Sequence, residues 1–165
     1  MSASKILIYD IMSRNPKTIQ VGTSIQEATE ELAKHRINSL LVLDGKELKG
    51  IITAHDIIFR VLGKKLDLNS TLVDGVMSKH IVSIESTKSV EEAILVLNDN
   101  EIEQLPIVDD GSLVGFLTLK DILHIEPTLF ELYAETRVDA GRQDFEEKSL
   151  QSEDGDLDKL IDDDE

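Results

Sequence analysis

Cysteine is absent from the 165 residues. That removes disulfides, thiolate nucleophiles and cysteine-ligated metals. Aromatic residues are scarce at 4%, so the core that a 41% hydrophobic chain can bury is aliphatic. No apolar run approaches the roughly 18 residues of a membrane span. Ile6 to Ile8 is too short an apolar stretch for a signal peptide. A soluble, cytoplasmic chain without membrane contact is the expectation. A basic stripe is also missing. Net charge is −16, with 12 acidic and 3 basic residues (−9) from Asp139 onward and 21 acidic and 14 basic (−7) before it. Phosphate contacts need clustered Lys and Arg, so nucleic-acid binding is not expected.

What is present is a duplication. A shift of 65 residues superposes the two halves without a gap. Met12-Ser13 falls on Met77-Ser78, and Ser24-Ile25-Gln26-Glu27-Ala28 falls on Ser89-Val90-Glu91-Glu92-Ala93. Leu32 meets Leu97, Ile37 meets Ile102, Leu40 meets Leu105, and Asp44 meets Asp109. GIITAHD at 50–56 falls on GFLTLKD at 115–121, matching Gly, Thr and Asp. Such self-similarity marks one structural unit used twice.

Each unit reads as strand, helix, strand, strand, helix. Thr18 to Val21 and Ser83 to Glu85 are short β-prone runs. Ser-x-x-Glu at Ser24 and Ser89 is a capping box, followed by apolar residues at helical spacing. Leu32 and Leu97 on those helices are core positions. Leu40 to Leu43 and Leu48 to Ile52 flank a hairpin turn, repeated by Leu105 to Val108 and Leu113 to Leu117. A second helix starts near Thr53 and near Thr118. Gly63 to Asp74 connects the copies. The fold class is therefore α+β: two βαββα repeats, 1–63 and 64–126, the second including the linker. A unit this small buries too little surface alone. Two packed sheet to sheet about a pseudo-twofold axis would leave two related clefts. Residues 127–138, with Leu129, Phe130, Leu132 and Tyr133, read as a short helix covering the core or joining two chains, with a dimer contact favoured. Residues 139–165 read as a solvated, disordered acidic tail.

These residues resemble a cystathionine β-synthase (CBS) domain pair. Asp-Ile-Met-Ser-Arg-Asn-Pro at 10–16 is similar to the opening of that domain. So are the Ser-x-x-Glu-Ala helix starts, Leu-Pro-Ile-Val-Asp at 105–109, and the Gly-x-x-Thr-x-x-Asp endings. The resemblance spans roughly residues 5–126. It implies a free-standing regulatory module, not an enzyme, that binds an adenosine ligand between the repeats and signals to a separate protein effector. AMP, ADP, ATP and S-adenosylmethionine all remain candidates, and a homodimer is implied. The resemblance places a phosphate-facing hydroxyl at Thr53 and Thr118 and a ribose-binding carboxylate at Asp56 and Asp121. His55 and Lys120 stand just before each Asp, where they could approach phosphate. The resemblance assigns an adenine slot to Thr18 and Ile19 with Asn38, Ser39 and Leu40, and to Ser83 and Ile84 with Gln104, Leu105 and Pro106. The first copy departs from the pattern with Leu41 where the second has Pro106, and His80-Ile81 replaces Asn15-Pro16.

Simpler readings stand beside this one. Thr-x-x-Asp is also a helix cap in which the Asp reaches back to the Thr N–H. Both readings need a helix start, so they are compatible. The clefts could instead be empty surfaces of a structural dimerisation module. His35, His80 and His124 have no partner at metal-ligand spacing and read as solvated or packed. No metal, cofactor or catalytic residue is expected.

Overall fold

Where the two long helices begin is settled by single side chains. Ser24 and Ser89 hydroxyls each accept the N–H three residues on, at Glu27 and Glu92, both at 3.2 Å. The two glutamates return bonds to the serine N–H groups at 3.2 and 2.9 Å, closing both capping boxes. The computed structural model describes residues 5–129, 131, 133 and 134. Its elements are α1 (Ile8–Ile11), β1 (Thr18–Gln20), α2 (Ile25–His35), β2 (Ser39–Asp44), β3 (Glu47–Thr53) and α3 (Ala54–Asp56), which continues as a π-helical stretch over Ile57–Leu62. A 3-10 turn at Val73–Gly75 precedes α4 (Val90–Asp99), β4 (Gln104–Asp109), β5 (Ser112–Thr118) and α5 (Leu119–Ile125).

β1 runs parallel to β2, with Thr18 opposite Leu41, and β2 is antiparallel to β3. The second copy repeats this, with β4 antiparallel to β5. Its first strand is reduced to one parallel bridge, Ile84 to Ile107. The β4–β5 turn has Asp110 and Gly111 at φ +49° and +77°. Two consecutive left-handed residues match the right-handed twist of the strands they join.

There are two aliphatic cores. Ile25, Ala28 and Leu32 of α2 pack with Leu40 and Val42 of β2 and Ile52 of β3. Val90, Ala93 and Leu97 of α4 pack with Leu105, Ile107, Leu117 and Ile122. Neither core follows the division at residue 63. Val73, Val76 and Met77 complete the first core, and Ile8 and Met12 complete the second. The leading segment of each copy therefore serves its neighbour. Ser13 exchanges two backbone bonds with Phe116 of β5, both 2.9 Å. Ser78 does the same with Ile51 of β3, at 2.9 and 3.1 Å. The physical reason lies in Gly50 and Gly115, whose missing side chains admit the crossing segments. A Cβ on Gly50 would lie 2.5 Å from Met77 Sδ, and one on Gly115 would lie 2.5 Å from Met12 Sδ.

Of the apolar face read over 127–138, Leu129 and Tyr133 pack against the second core. Phe130, Leu132 and the acidic segment 139–165 lie outside the described residues.

The α4 cap carries a pH dependence. Ser89 N–H, then the Ser89 hydroxyl and Lys5, hold the Glu92 carboxyl down to about 2 from an ordinary 4.5. A depressed carboxylate contributes stability that is complete above its unfolded value and lost as pH falls through the folded one. Glu92→Gln keeps an acceptor but removes the charge. Its Tm deficit against the parent at pH 7 should therefore close between pH 4.5 and 2 in calorimetry. A deficit constant down to pH 2 would show that the carboxylate's charge contributes nothing.

Candidate functional site

β3 and β5 each deliver a threonine to a helix start. Thr53 N–H and Oγ1–H donate to Asp56 Oδ2 at 3.0 and 2.7 Å, and Asp56 N–H donates to Thr53 Oγ1 at 3.1 Å. Thr118 and Asp121 reproduce this at 3.0, 2.6 and 3.2 Å. The capping geometry is thus realised in both copies, and it occupies one carboxylate oxygen. A carboxylate has lone pairs on two oxygens, so capping leaves Oδ1 available. The copies differ there. Arg60 Nε reaches Asp56 Oδ1 at 3.3 Å, and Arg60 Nη1 donates to Val76 O at 2.7 Å. The position equivalent to Arg60 is Ile125, and among the described residues Asp121 Oδ1 has no hydrogen-bond partner. Asp56 is 6% exposed.

Two clefts lie between the copies. One, of about 890 Å³, takes Asn15, Lys17, Asn38, Ser39 and Leu41 from the first copy and Phe116, Thr118, Lys120 and His124 from the second. The other, of about 770 Å³, takes His80, Glu101, Gln104 and Pro106 from the second and Ile51, Thr53, His55 and Asp56 from the first. The 65-residue shift interchanges the linings: Ser39 with Gln104, Leu41 with Pro106, Phe116 with Ile51, Lys120 with His55. Each cleft therefore joins the threonine of one copy to the hairpin strand of the other. Ser39 and Gln104, equivalent positions, meet at the axis, where the serine hydroxyl donates to Gln104 Oε1. Asn38, Glu103 and Gln104 line both clefts.

Among residues singled out from the sequence, Asn38, Ser39, Thr118 and Lys120 come together in the first cleft. Thr53, His55, Asp56, Gln104 and Pro106 come together in the second. Ile19, Leu40 and Leu105 do not line a cleft, because their side chains belong to the cores, and Ile84 packs against the second core. Strand alternation is the reason: Ser39 and Leu41 face the cleft, so Leu40 between them faces α2, and Leu105 likewise faces α4. Thr18 and Ser83 are exposed outside the clefts, where Lys17 and Val82, one residue earlier, stand instead. Asp121 is not among the lining residues but adjoins the first cleft, its Oδ2 bonded to Thr118, which lines it.

His80 and His124 line the clefts, whereas His35 pairs with Glu31 at 3.2 Å. Lys17, Glu101 and Glu103 carry no local motif. Only their adjacency to repeat landmarks, Pro16 and Ile102, could have marked them. The His55 ring packs on Phe59 with centroids 4.2 Å apart, which holds its orientation. Among the described residues no group of three His, Asp or Glu could hold a metal, and no helix is long and apolar enough to cross a membrane.

The sequence profile of the CBS domain matches residues 8–63 and 73–127. Uncharacterized protein MK0525 of Methanopyrus kandleri is 30% identical over 131 residues, covering 78% of this chain and 64% of that protein. This chain thus spans just under two thirds of that relative's length. CBS domain-containing protein YhcV of Bacillus subtilis is 33% identical over 115 residues, covering 70% and 81%. Among solved structures, the CBS domain pair of protein MJ0100, in complex with 5′-methylthioadenosine and S-adenosyl-L-methionine, superposes with a TM-score of 0.67 at 31% identity. That match covers 74% of this chain and 96% of that one. Both copies match the profile and the pair shares the fold, so the chain belongs to the CBS domain family, as a tandem pair.

Proposed function

We propose that the pair is a regulatory, non-catalytic module that binds an adenosine ligand between its copies and passes occupancy to a separate partner. The observation that carries this reading is the pair of clefts related by the 65-residue shift, each setting a Thr–Asp cap opposite an apolar strand edge. The MJ0100 pair, bound to two adenosine compounds, supports the ligand class. In this reading Leu41 and Pro106 flank adenine, the free oxygen of Asp121 accepts from the ribose diol, and Thr118 and Lys120 face the 5′ substituent. Ile58, Phe59 and Leu62 are each more than half exposed, an apolar surface that supports association of two chains.

A ligand present at 100 times its Kd and bound only to the folded state adds about 2.7 kcal/mol. Calorimetry with AMP, ATP, 5′-methylthioadenosine and S-adenosylmethionine should then raise Tm by several degrees for at least one compound. No movement at millimolar concentration would discard the proposal.

The rival reading, a structural module with empty clefts, is favoured by one observation: both carboxylates already serve as caps. Asp121→Asn separates the two. Its amide oxygen can still accept from Thr118, so Tm without ligand should hardly change. Nucleotide affinity should fall at least tenfold, because a charge-assisted bond to the diol is lost. Unchanged affinity would make Asp121 a cap and nothing more.

A further inference from the structure

Although the two clefts are related by the 65-residue shift, they are opposite in charge. Lys17 and Lys120 line the first cleft against Glu103, a formal +1 with histidines neutral. Asp56, Glu101 and Glu103 line the second, a formal −3, and no lysine or arginine joins them. Arg60 offsets part of Asp56 from outside the lining. Glu101 and Glu103 make no ion pair among the described residues.

The difference arises at equivalent positions of the duplicated unit, and it runs one way. Lys17 corresponds to Val82, and Lys120 to His55. Glu101, in the second lining, corresponds to Arg36, which lies outside the first lining, and both sit in the left-handed conformation just after their helix, each at φ +53°. At the two pairs in which both residues line a cleft, Lys17 with Val82 and Lys120 with His55, the first-cleft residue is the more positive. The two carboxylates diverge as well. Asp56 is held on both oxygens by Thr53 and Arg60, whereas Asp121 keeps Oδ1 open.

Charges lining a concave, partly desolvated site act at an effective dielectric well below that of water, and they are screened by salt less than exposed charges are. A phosphate entering the second cleft meets a lining with three carboxylates and no ammonium group, and one entering the first meets two ammonium groups and one carboxylate. We infer that the clefts divide adenosine compounds by charge. The Lys17–Lys120 cleft takes a phosphorylated adenosine. The Asp56 cleft takes an adenosine compound whose 5′ substituent is uncharged or cationic, and it rejects phosphate. This inference rests on the adenosine reading above for the nucleoside, but not for the charge.

The experiment is an amide NMR titration of the full chain at low salt and pH 8, where an ordinary imidazole is neutral. Three probes are used in turn: sodium tripolyphosphate, AMP and 5′-methylthioadenosine. Tripolyphosphate and AMP are expected to shift Lys17 and Thr118–Lys120 and to leave Thr53–Asp56 still. 5′-Methylthioadenosine is expected to shift Thr53–Asp56 while AMP occupies the first cleft, without displacing it. Lys17→Gln/Lys120→Gln should weaken AMP at least tenfold and 5′-methylthioadenosine less than twofold. Glu101→Lys should bring tripolyphosphate shifts to Thr53–Asp56. Equal AMP shifts in both clefts, or displacement of AMP by 5′-methylthioadenosine, overturns the charge division. Tripolyphosphate confined to the first cleft with no response to either adenosine compound upholds the division and overturns the adenosine reading instead. No response to any probe overturns both.

Discussion

Deletion of residues 1–12 is expected to unfold the second core, although that segment precedes the first copy in the chain. Ile8 is fully buried and Met12 nearly so, both among α4 and β5 residues. Ile8 N–H donates to Lys88 O at 2.9 Å, Tyr9 N–H to Ser86 O at 3.0 Å, and Val90 N–H to Ile6 O at 3.1 Å, tying the segment to the start of α4. Truncating a buried Ile or Met to Ala costs about 2–5 kcal/mol. Losing both, with the backbone bonds, approaches the whole stability of a typical domain, about 5–15 kcal/mol. Ile8→Ala/Met12→Ala in the full chain is the milder form of the test. It should lower the urea midpoint strongly, with the sum somewhat off additive because the two residues share neighbours. A truncated chain with the parent's midpoint would mean the segment is peripheral, and the exchanged architecture would be wrong.

Gly50→Ala and Gly115→Ala should each cost about 1–3 kcal/mol by overpacking, several degrees of Tm. The added Cβ would stand 2.5 Å from a methionine sulfur, and a flexible side chain could retreat from that. It would also stand 2.9 Å from Ser78 O at Gly50 and 3.1 Å from Ser13 O at Gly115. Those carbonyls belong to crossing segments pinned by paired backbone bonds, so relief requires shifting a strand. Phe116 and Ile51, next to the two glycines, line the clefts, so ligand affinity should fall together with stability. Gly75→Ala is the control, since nothing lies within 4 Å of its Cβ position and its φ is ordinary. If all three variants melt together, the glycines in the repeated motif are not packing residues.

The repeated Gly, Thr and Asp thus have separate duties. Thr and Asp cap a helix in both copies, and Thr53, Asp56 and Thr118 line a cleft. The glycine, part of the same repeated Gly-x-x-Thr-x-x-Asp ending, makes room for the other copy's backbone.

Local order was legible from the chain alone. The duplication, the Ser-x-x-Glu helix starts, the hairpins and the buried Leu32 and Leu97 follow from hydrogen bonds and periodicities within a few residues, which the sequence itself encodes. The tertiary structure alone decided three things. It placed Ile8 and Met12 in the second core. It set Thr118 and Lys120 in one cleft with Ser39 and Leu41 of the other copy. It turned Leu40 and Leu105 away from the clefts. All three depend on pairings across roughly 65 residues or more, or on which face of a sheet meets the other copy. A duplicated sequence is equally consistent with self-contained and exchanged units. The choice between them falls to close backbone approach at Gly50 and Gly115, a non-local steric fact without any periodicity to reveal it.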